Sequence, residues 1–363
     1  MNKLQELYIE QGQSPWLDNI RRGWLTSGEL EAWVDRGVRG LTSNPSIFQK
    51  AIEGSSDYDD EFRGAVGDGL DIEASYWKLV TSDIVAALGV LRPVYDESDG
   101  LDGFVSVEVD PGLARDSART EDSARRLHQL IDEPNLYVKI PATVEGLAPI
   151  RQMISERRSI NVTLIFSLAR YDEVIEAYIS GLEAAEGDIS RVSSVASFFV
   201  SRVDTEVDRR LDEIGTAEAL ALRGKAAVAN AKLAYRLFED RFAGPRWEAL
   251  VARGARPQRP LWASTSTKND AYPETLYVDE LIGPRTVNTL PDATLEAFLA
   301  RGTVARTLDV DVDDAQAVVN GLAEVGVAMN DVTRQLEAEG VASFEKSFTE
   351  LLTALESKAA SLT

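Results

Sequence analysis

The chain has 363 residues, with 60 Asp and Glu against 38 Lys and Arg, a net charge of −22. That length suits two ordinary domains or one large barrel, and the acidity argues against nucleic-acid and anionic-membrane binding, though not against a small anion held by a few local cations. Cys is absent and His128 is the only histidine, which excludes disulfides, cysteine-zinc sites, thiol nucleophiles and multi-histidine metal sites.

Residues 1–13 are polar and amphipathic with no apolar leader. No uninterrupted apolar run approaches the roughly 18 residues that span a bilayer, so the expected location is cytoplasmic. Eight short apolar or β-branched segments follow, at residues 16–20, 37–41, 103–109, 135–140, 160–166, 192–200, 260–264 and 285–289. Several are apolar through most of their length, as parallel strands buried on both faces are. Helical patterns separate most of them. A Thr26-Ser27 cap opens one at 26–29, another runs over 70–88 before Pro93, a third over 168–185, and an alanine-rich one over 216–242. His128 falls on the polar side of a helical stretch and is read as a surface histidine.

Eight strand-helix units predict a closed (β/α)8 TIM barrel as a single domain over residues 1–363. The long gap at 46–101 is read as inserted helices on the barrel. Residues 311–362 are read as two or three further amphipathic helices wrapping it. An open doubly wound sheet is the other candidate, but no glycine fingerprint follows a strand, so a dinucleotide site is unsupported.

Lys139 stands out within Tyr137-Val138-Lys139-Ile140-Pro141. The flanks read as a buried strand, and lysine is almost never buried without a partner. It could snorkel to water or close a core ion pair. A buried amine that sheds its proton is also a nucleophile toward carbonyl carbon. In a barrel, polar groups at the C-terminal strand ends converge on one site. The candidates in chain order are Asp18, Asn44, Glu108, Lys139, Asn161, Thr163, Ser197 and Arg202. Each has a structural explanation: Asp18 as a turn cap, Asn44-Pro45 as a turn, Glu108 as the partner of Lys139, Asn161 and Thr163 as satisfied barrel polar groups, Arg202 as a solvated charge at a helix start. One amine, two carboxylates and several hydroxyls or amides in apolar segments instead suit a Schiff-base enzyme. The lysine would form an iminium with a ketone, one carboxylate would take the proton of the hydroxyl whose C–C bond breaks, and the other would relay the dehydration protons through water.

The chain resembles the transaldolases of the longer bacterial type, from Trp16 to the C-terminal helices. The resemblance is carried by Leu41-Thr42-Ser43-Asn44-Pro45-Ser46, the lysine strand, Asn161-Val162-Thr163-Leu164-Ile165-Phe166-Ser167 and Ser197-Phe198-Phe199-Val200-Ser201-Arg202, in that order. It implies a class I aldolase barrel needing no metal or organic cofactor. It also implies transfer of a dihydroxyacetone unit from sedoheptulose 7-phosphate or fructose 6-phosphate to glyceraldehyde 3-phosphate or erythrose 4-phosphate, in the non-oxidative pentose phosphate pathway. By matching position, Lys139 would be the Schiff-base lysine and Asp18 the acid/base of C–C cleavage. Glu108 and Thr163 would hold the relay water, Asn44 and Asn161 would bind donor hydroxyls, Ser197 and Phe199 would shape the donor pocket, and Arg202 would bind phosphate. The segment from Trp262 to Asn269 resembles the family's second phosphate loop through Ser264. Many members have arginine near that serine, whereas here the nearest cation is Lys268, a point charge without arginine's bidentate fork. Shorter relatives cleave without transfer, which leaves a lyase open, and a non-catalytic sugar-phosphate-binding barrel is the remaining alternative. Sugar phosphates are thus the expected partners, with monomer or homodimer undecided.

Overall fold

The computed structural model describes residues 1–362, with side chains through Ala360. Eight strands, β1 (Gln13–Leu17), β2 (Gly40–Thr42), β3 (Phe104–Glu108), β4 (Leu136–Pro141), β5 (Ile160–Ile165), β6 (Ser194–Phe199), β7 (Arg259–Ala263) and β8 (Thr286–Leu290), pair in sequence order and close β8 onto β1 as a parallel barrel. Helix α1 (Lys3–Gln11) precedes it. Between β1 and β2 lie α2 (Arg22–Ser27) and α3 (Glu29–Asp35), and between β2 and β3 lie α4 (Pro45–Glu53), α5 (Asp59–Gly67) and α6 (Ile72–Glu97). Next come α7 (Ser117–Ile131), α8 (Leu147–Ser155), α9 (Leu168–Ala184), α10 (Ser201–Ile214), α11 (Ala217–Leu220), α12 (Ala226–Arg241), α13 (Gly244–Val251), α14 (Leu276–Asp279) and α15 (Asp292–Arg301). Finally α16 (Val312–Glu324) and α17 (Met329–Leu362) occupy the C-terminal region.

The barrel interior is filled in layers, as a closed parallel barrel requires. Trp16, Phe104 and Tyr137 make an aromatic floor, with ring centroids 6.1 Å apart for Trp16 and Tyr137 and 4.0 Å for Phe104 and Tyr137. Gly40 lacks a Cβ because the Trp16 indole occupies its place, 2.4 Å from where that atom would stand. Below the floor, Asp102 is fully buried and neutralised by Arg39 and Arg259 at 3.2 and 3.1 Å.

Several local expectations shift. The first strand begins at Gln13 rather than residue 16, because Gln13 and Ser14 are both buried and each finds a polar partner, one on either face of the strand. Gln13 Nε2 donates to the Leu281 carbonyl at 2.6 Å, and Ser14 Oγ to Asp102 at 2.8 Å. The second strand starts at Gly40, not residue 37. Thr26 and Ser27 end α2 instead of capping a new helix, and Thr26 Oγ1 bonds back to the Arg22 and Gly23 carbonyls. The helix before Pro93 runs through it to Glu97, held by buried Leu91, Val94 and Tyr95, the last packed edge-on against Phe104. The stretch at 216–242 breaks into α11 and α12, since Asp208 accepts from Gly224 N and Asp204 from Ala227 N. His128 is buried, not on the surface, with 9 % of its area exposed. Helix α6 is long and apolar enough to cross a bilayer, but half of its most apolar stretch is buried in the protein.

Helix α17 crosses the barrel mouth. It contacts α4, α5, α6, α10 and β5. Its Gly340 sits on the mouth, where a Cβ would come within 2.9 Å of Leu164 Cδ2.

Candidate active site

Period-two alternation decides which strand residues enter the barrel. Ser14, Trp16 and Asp18, then Ser106 and Glu108, Tyr137 and Lys139, Asn161 and Thr163, and Ser197 and Phe199 are such i, i+2 sets. The register places Glu108 opposite Lys139, Lys139 opposite Asn161, and Pro141 opposite Thr163. A bulge in β5, with Leu164 at φ +59°, breaks the pairing with β6 just after Thr163. Bulges of this kind re-aim side chains next to active sites.

Lys139 is 5 % exposed. Its Nζ donates to the Ser43 carbonyl at 3.1 Å and stands 3.3 Å from Glu108 Oε2. Burial pushes the Glu108 carboxyl above its usual range, against the pull of the Lys139 charge. Asp18 lies just past β1. Its Oδ1 accepts from Thr42 Oγ1 at 2.7 Å, and Thr42 in turn sits 2.6 Å from Thr289 Oγ1. Burial raises Asp18 too, with the Thr42 hydrogen bond and the charges of Lys139, Lys268 and Arg202 opposing it. Two carboxylates within electrostatic reach of one amine, both biased toward holding protons, form a set able to exchange protons with a substrate.

A cavity of about 770 Å³ opens here at the C-terminal end of the strands. Asp18, Asn44, Lys139, Thr163, Ser197 and Phe199 line its depth, and Arg202, Ser264 and Lys268 line its mouth. The Thr163 hydroxyl is buried and uncommitted to any partner among the described residues. Asn44 caps α4 by accepting from Ile47 N at 3.0 Å. Arg202, second residue of α10, lies over the Phe199 ring at 5.3 Å, and burial lowers its proton affinity. Ser264, at φ +56°, ends β7 and places its Oγ 2.9 Å from Ser201 Oγ.

Two expected residues stand behind this wall. Glu108 faces a narrow crevice it shares with Tyr76 and Phe348, with Lys139 between it and the main cavity. Asn161 lies beneath Ser197, donating to Ser106 Oγ at 3.0 Å and accepting from Ser197 Oγ at 2.7 Å. Sequence reasoning missed Thr289, Ser106 and Phe344. Ser106 was legible as the i−2 neighbour of Glu108 on the same strand face. Phe344, from α17, enters the cavity wall only because that helix folds back over the mouth, where Ser347 Oγ meets Ser46 Oγ at 2.7 Å. Among the described residues no three His, Asp or Glu side chains converge as metal ligands.

A family model described as Transaldolase/Fructose-6-phosphate aldolase matches residues 15–355. The chain is 54 % identical to the transaldolase of Acidothermus cellulolyticus over 349 residues, covering 95 % of this chain and 94 % of that one. It is 52 % identical to the transaldolase of Frankia alni over 356 residues, 97 % and 96 % of the two chains. The transaldolase of Thermobifida fusca is also 52 % identical, over 354 residues and 96 % of each chain. With its eight-stranded barrel and a buried lysine grouped with two carboxylates at the strand ends, this chain belongs to the transaldolase/fructose-6-phosphate aldolase family of enzymes.

Proposed function

We propose that this enzyme is a transaldolase that moves a dihydroxyacetone unit between sugar phosphates through an iminium on Lys139. The donor is sedoheptulose 7-phosphate or fructose 6-phosphate, and the acceptor glyceraldehyde 3-phosphate or erythrose 4-phosphate. The observation that carries this reading is Lys139 itself, buried at the cavity floor, 3.3 Å from Glu108 and sharing the cavity with Asp18.

Lys139 Nζ, as the free amine, attacks the ketose carbonyl at C2 and gives a carbinolamine. Loss of water makes the iminium. Glu108 stands behind the lysine and does not line the substrate cavity, which suits a carboxylate that moves protons through a water held at the Thr163 hydroxyl. Asp18 takes the proton from the C4 hydroxyl. The C3–C4 bond breaks, its electrons neutralise the iminium as an enamine, and an aldose phosphate leaves. The enamine attacks the carbonyl of the incoming aldose phosphate, Asp18 returns the proton, and hydrolysis frees the new ketose phosphate. Arg202 and Lys268 at the mouth suit the phosphate, and Ser197 and Asn44 the donor hydroxyls.

Fructose 6-phosphate supplied with and without erythrose 4-phosphate tests the transfer. The transaldolase reading expects sedoheptulose 7-phosphate when the acceptor is present and almost no free dihydroxyacetone without it. Rapid release of dihydroxyacetone in the absence of acceptor would make the enzyme a lyase using the same iminium.

A further inference from the structure

Most arginines of this acidic chain stand at ion-pair distance from a carboxylate, whereas several lysines, Lys3, Lys225 and Lys232 among them, have none at that distance among the described residues. Arg22, in the wall of the same cavity, lies 2.8 Å from Asp83, and Arg21 lies 3.5 Å from Asp292. Three cations at the mouth lack such a partner. Arg202, Lys268 and Lys50 all line the cavity, and none has a carboxylate at ion-pair distance among the described residues. Asp18 and Glu339 act on Arg202 only at longer range. Lys268 Nζ donates to a neutral partner, Ser266 Oγ, at 2.6 Å. Lys268 is also within electrostatic reach of both other cations. Its proton affinity is lowered by burial first and then by Arg202 and Lys50. Like charges held this close destabilise the free protein, and a dianion between them offsets the repulsion.

The placement of Lys50 is set by α4. Ser46, Ile47, Lys50, Ala51 and Gly54 all line the cavity, at the i, i+1, i+4, i+5, i+8 spacing of one helix face. Lys50 therefore lies about 9 Å along the helix axis from Asn44, which caps α4 beside the cavity floor. Lys50 is exposed, whereas Arg202 is half-buried. The three cations thus run outward from a sheltered arginine to a lysine on the rim.

With C2 fixed on Lys139, the phosphate of a seven-carbon ketose reaches one carbon further out than that of a six-carbon ketose. The same holds for the four-carbon aldose phosphate against the three-carbon one. We propose that Lys50 binds the phosphate of the longer substrates at the rim, and so sets chain-length preference, while Arg202 serves both lengths. This assignment rests on the transaldolase reading above.

The test is steady-state kinetics of Lys50→Gln and Lys50→Arg in the full chain. Lys50→Gln is expected to raise KM for sedoheptulose 7-phosphate and erythrose 4-phosphate by roughly three- to fivefold, as loss of an exposed charge-assisted contact does. KM for fructose 6-phosphate and glyceraldehyde 3-phosphate should rise by less than about twofold, and Lys50→Arg should retain the unaltered ratio. Arg202→Ala, as the contrast, should raise KM for both lengths. In the unaltered enzyme, about 0.5 M KCl should narrow the gap between the two lengths, because a rim charge is screened. That measurement stands even if Lys50→Gln fails to fold. Equal rises for both lengths in Lys50→Gln, no rise, or a length preference indifferent to salt would overturn the assignment. Failure of the unaltered protein to give a borohydride-trapped adduct would instead overturn the transaldolase reading beneath it.

Discussion

Replacing Asp18 by Asn separates bond cleavage from iminium formation. The amide keeps an oxygen for the hydrogen bond that Thr42 Oγ1 donates at 2.7 Å, and it is nearly the size of the carboxylate, so the Thr42–Thr289 contact at 2.6 Å survives. What it loses is the ability to take a proton from the C4 hydroxyl. A positioned general base contributes roughly 10²- to 10⁴-fold, or about 2.7 to 5.5 kcal/mol on the cleavage barrier. In the proposed mechanism iminium formation runs through Lys139 and Glu108, whose 3.3 Å contact does not involve Asp18. Cleavage should therefore fall by that factor while the first step continues. Burial raises the Asp18 carboxyl, so in the unaltered enzyme the carboxylate is lost at higher pH than for an ordinary aspartate. Cleavage activity should accordingly decline on the acid side, and that limb should vanish in the variant. Rapid quenching into borohydride, followed by mass spectrometry of the Lys139 peptide, reads both steps. Asp18→Asn should trap an intact six-carbon adduct where the unaltered enzyme gives a three-carbon one. A three-carbon adduct forming at the normal rate would show that Asp18 is not the cleavage base.

Glu108→Gln and Thr163→Ala should instead slow the appearance of any adduct, by roughly 10²- to 10⁴-fold for the first, and leave its carbon count at three. A normal rate of adduct formation in Glu108→Gln would remove it from the proton relay. The buried His128 bears on stability. Burial, and then the charge of Arg158, lower its proton affinity to about 4, from 6.5 in the unfolded chain. Between those values the unfolded state holds the extra proton, so stability is lost as pH falls from about 6.5 toward 4, by up to roughly 3 kcal/mol. Urea unfolding of His128→Gln and the unaltered protein across that window should show a flatter slope in the variant, and identical slopes would refute the assignment.

The residues that were legible in the sequence share one property: their neighbours along the chain announce their setting. Lys139 is flanked by Val138 and Ile140, and alternation alone turns Glu108, Asn161, Thr163 and Ser197 to the same interior. The features that were hidden depend on contacts between distant segments. Gln13 and Ser14 lie before the first apolar segment and carry no strand signal of their own, and it is Leu281 and Asp102 that supply their partners. Pro93 reads as a helix stop until the packing of Tyr95 on Phe104 holds the helix through it. The break before α12 is imposed by Asp204 and Asp208 from another helix. Phe344 has no local sign of its role, because only the path of α17 across the mouth brings it to the cavity. His128 sits among polar helix residues and is buried all the same, beside the Arg158 and Ser159 segment that leads into β5.

The central claim is covalent chemistry at one amine. Borohydride added to the enzyme with fructose 6-phosphate should fix a three-carbon dihydroxyacetone unit on Lys139, located by peptide mapping, with loss of activity in proportion to adduct. Lys139→Arg should give neither adduct nor turnover, since a guanidinium stays protonated and forms no iminium. An adduct on another lysine, or none in a preparation that turns over, would contradict the account.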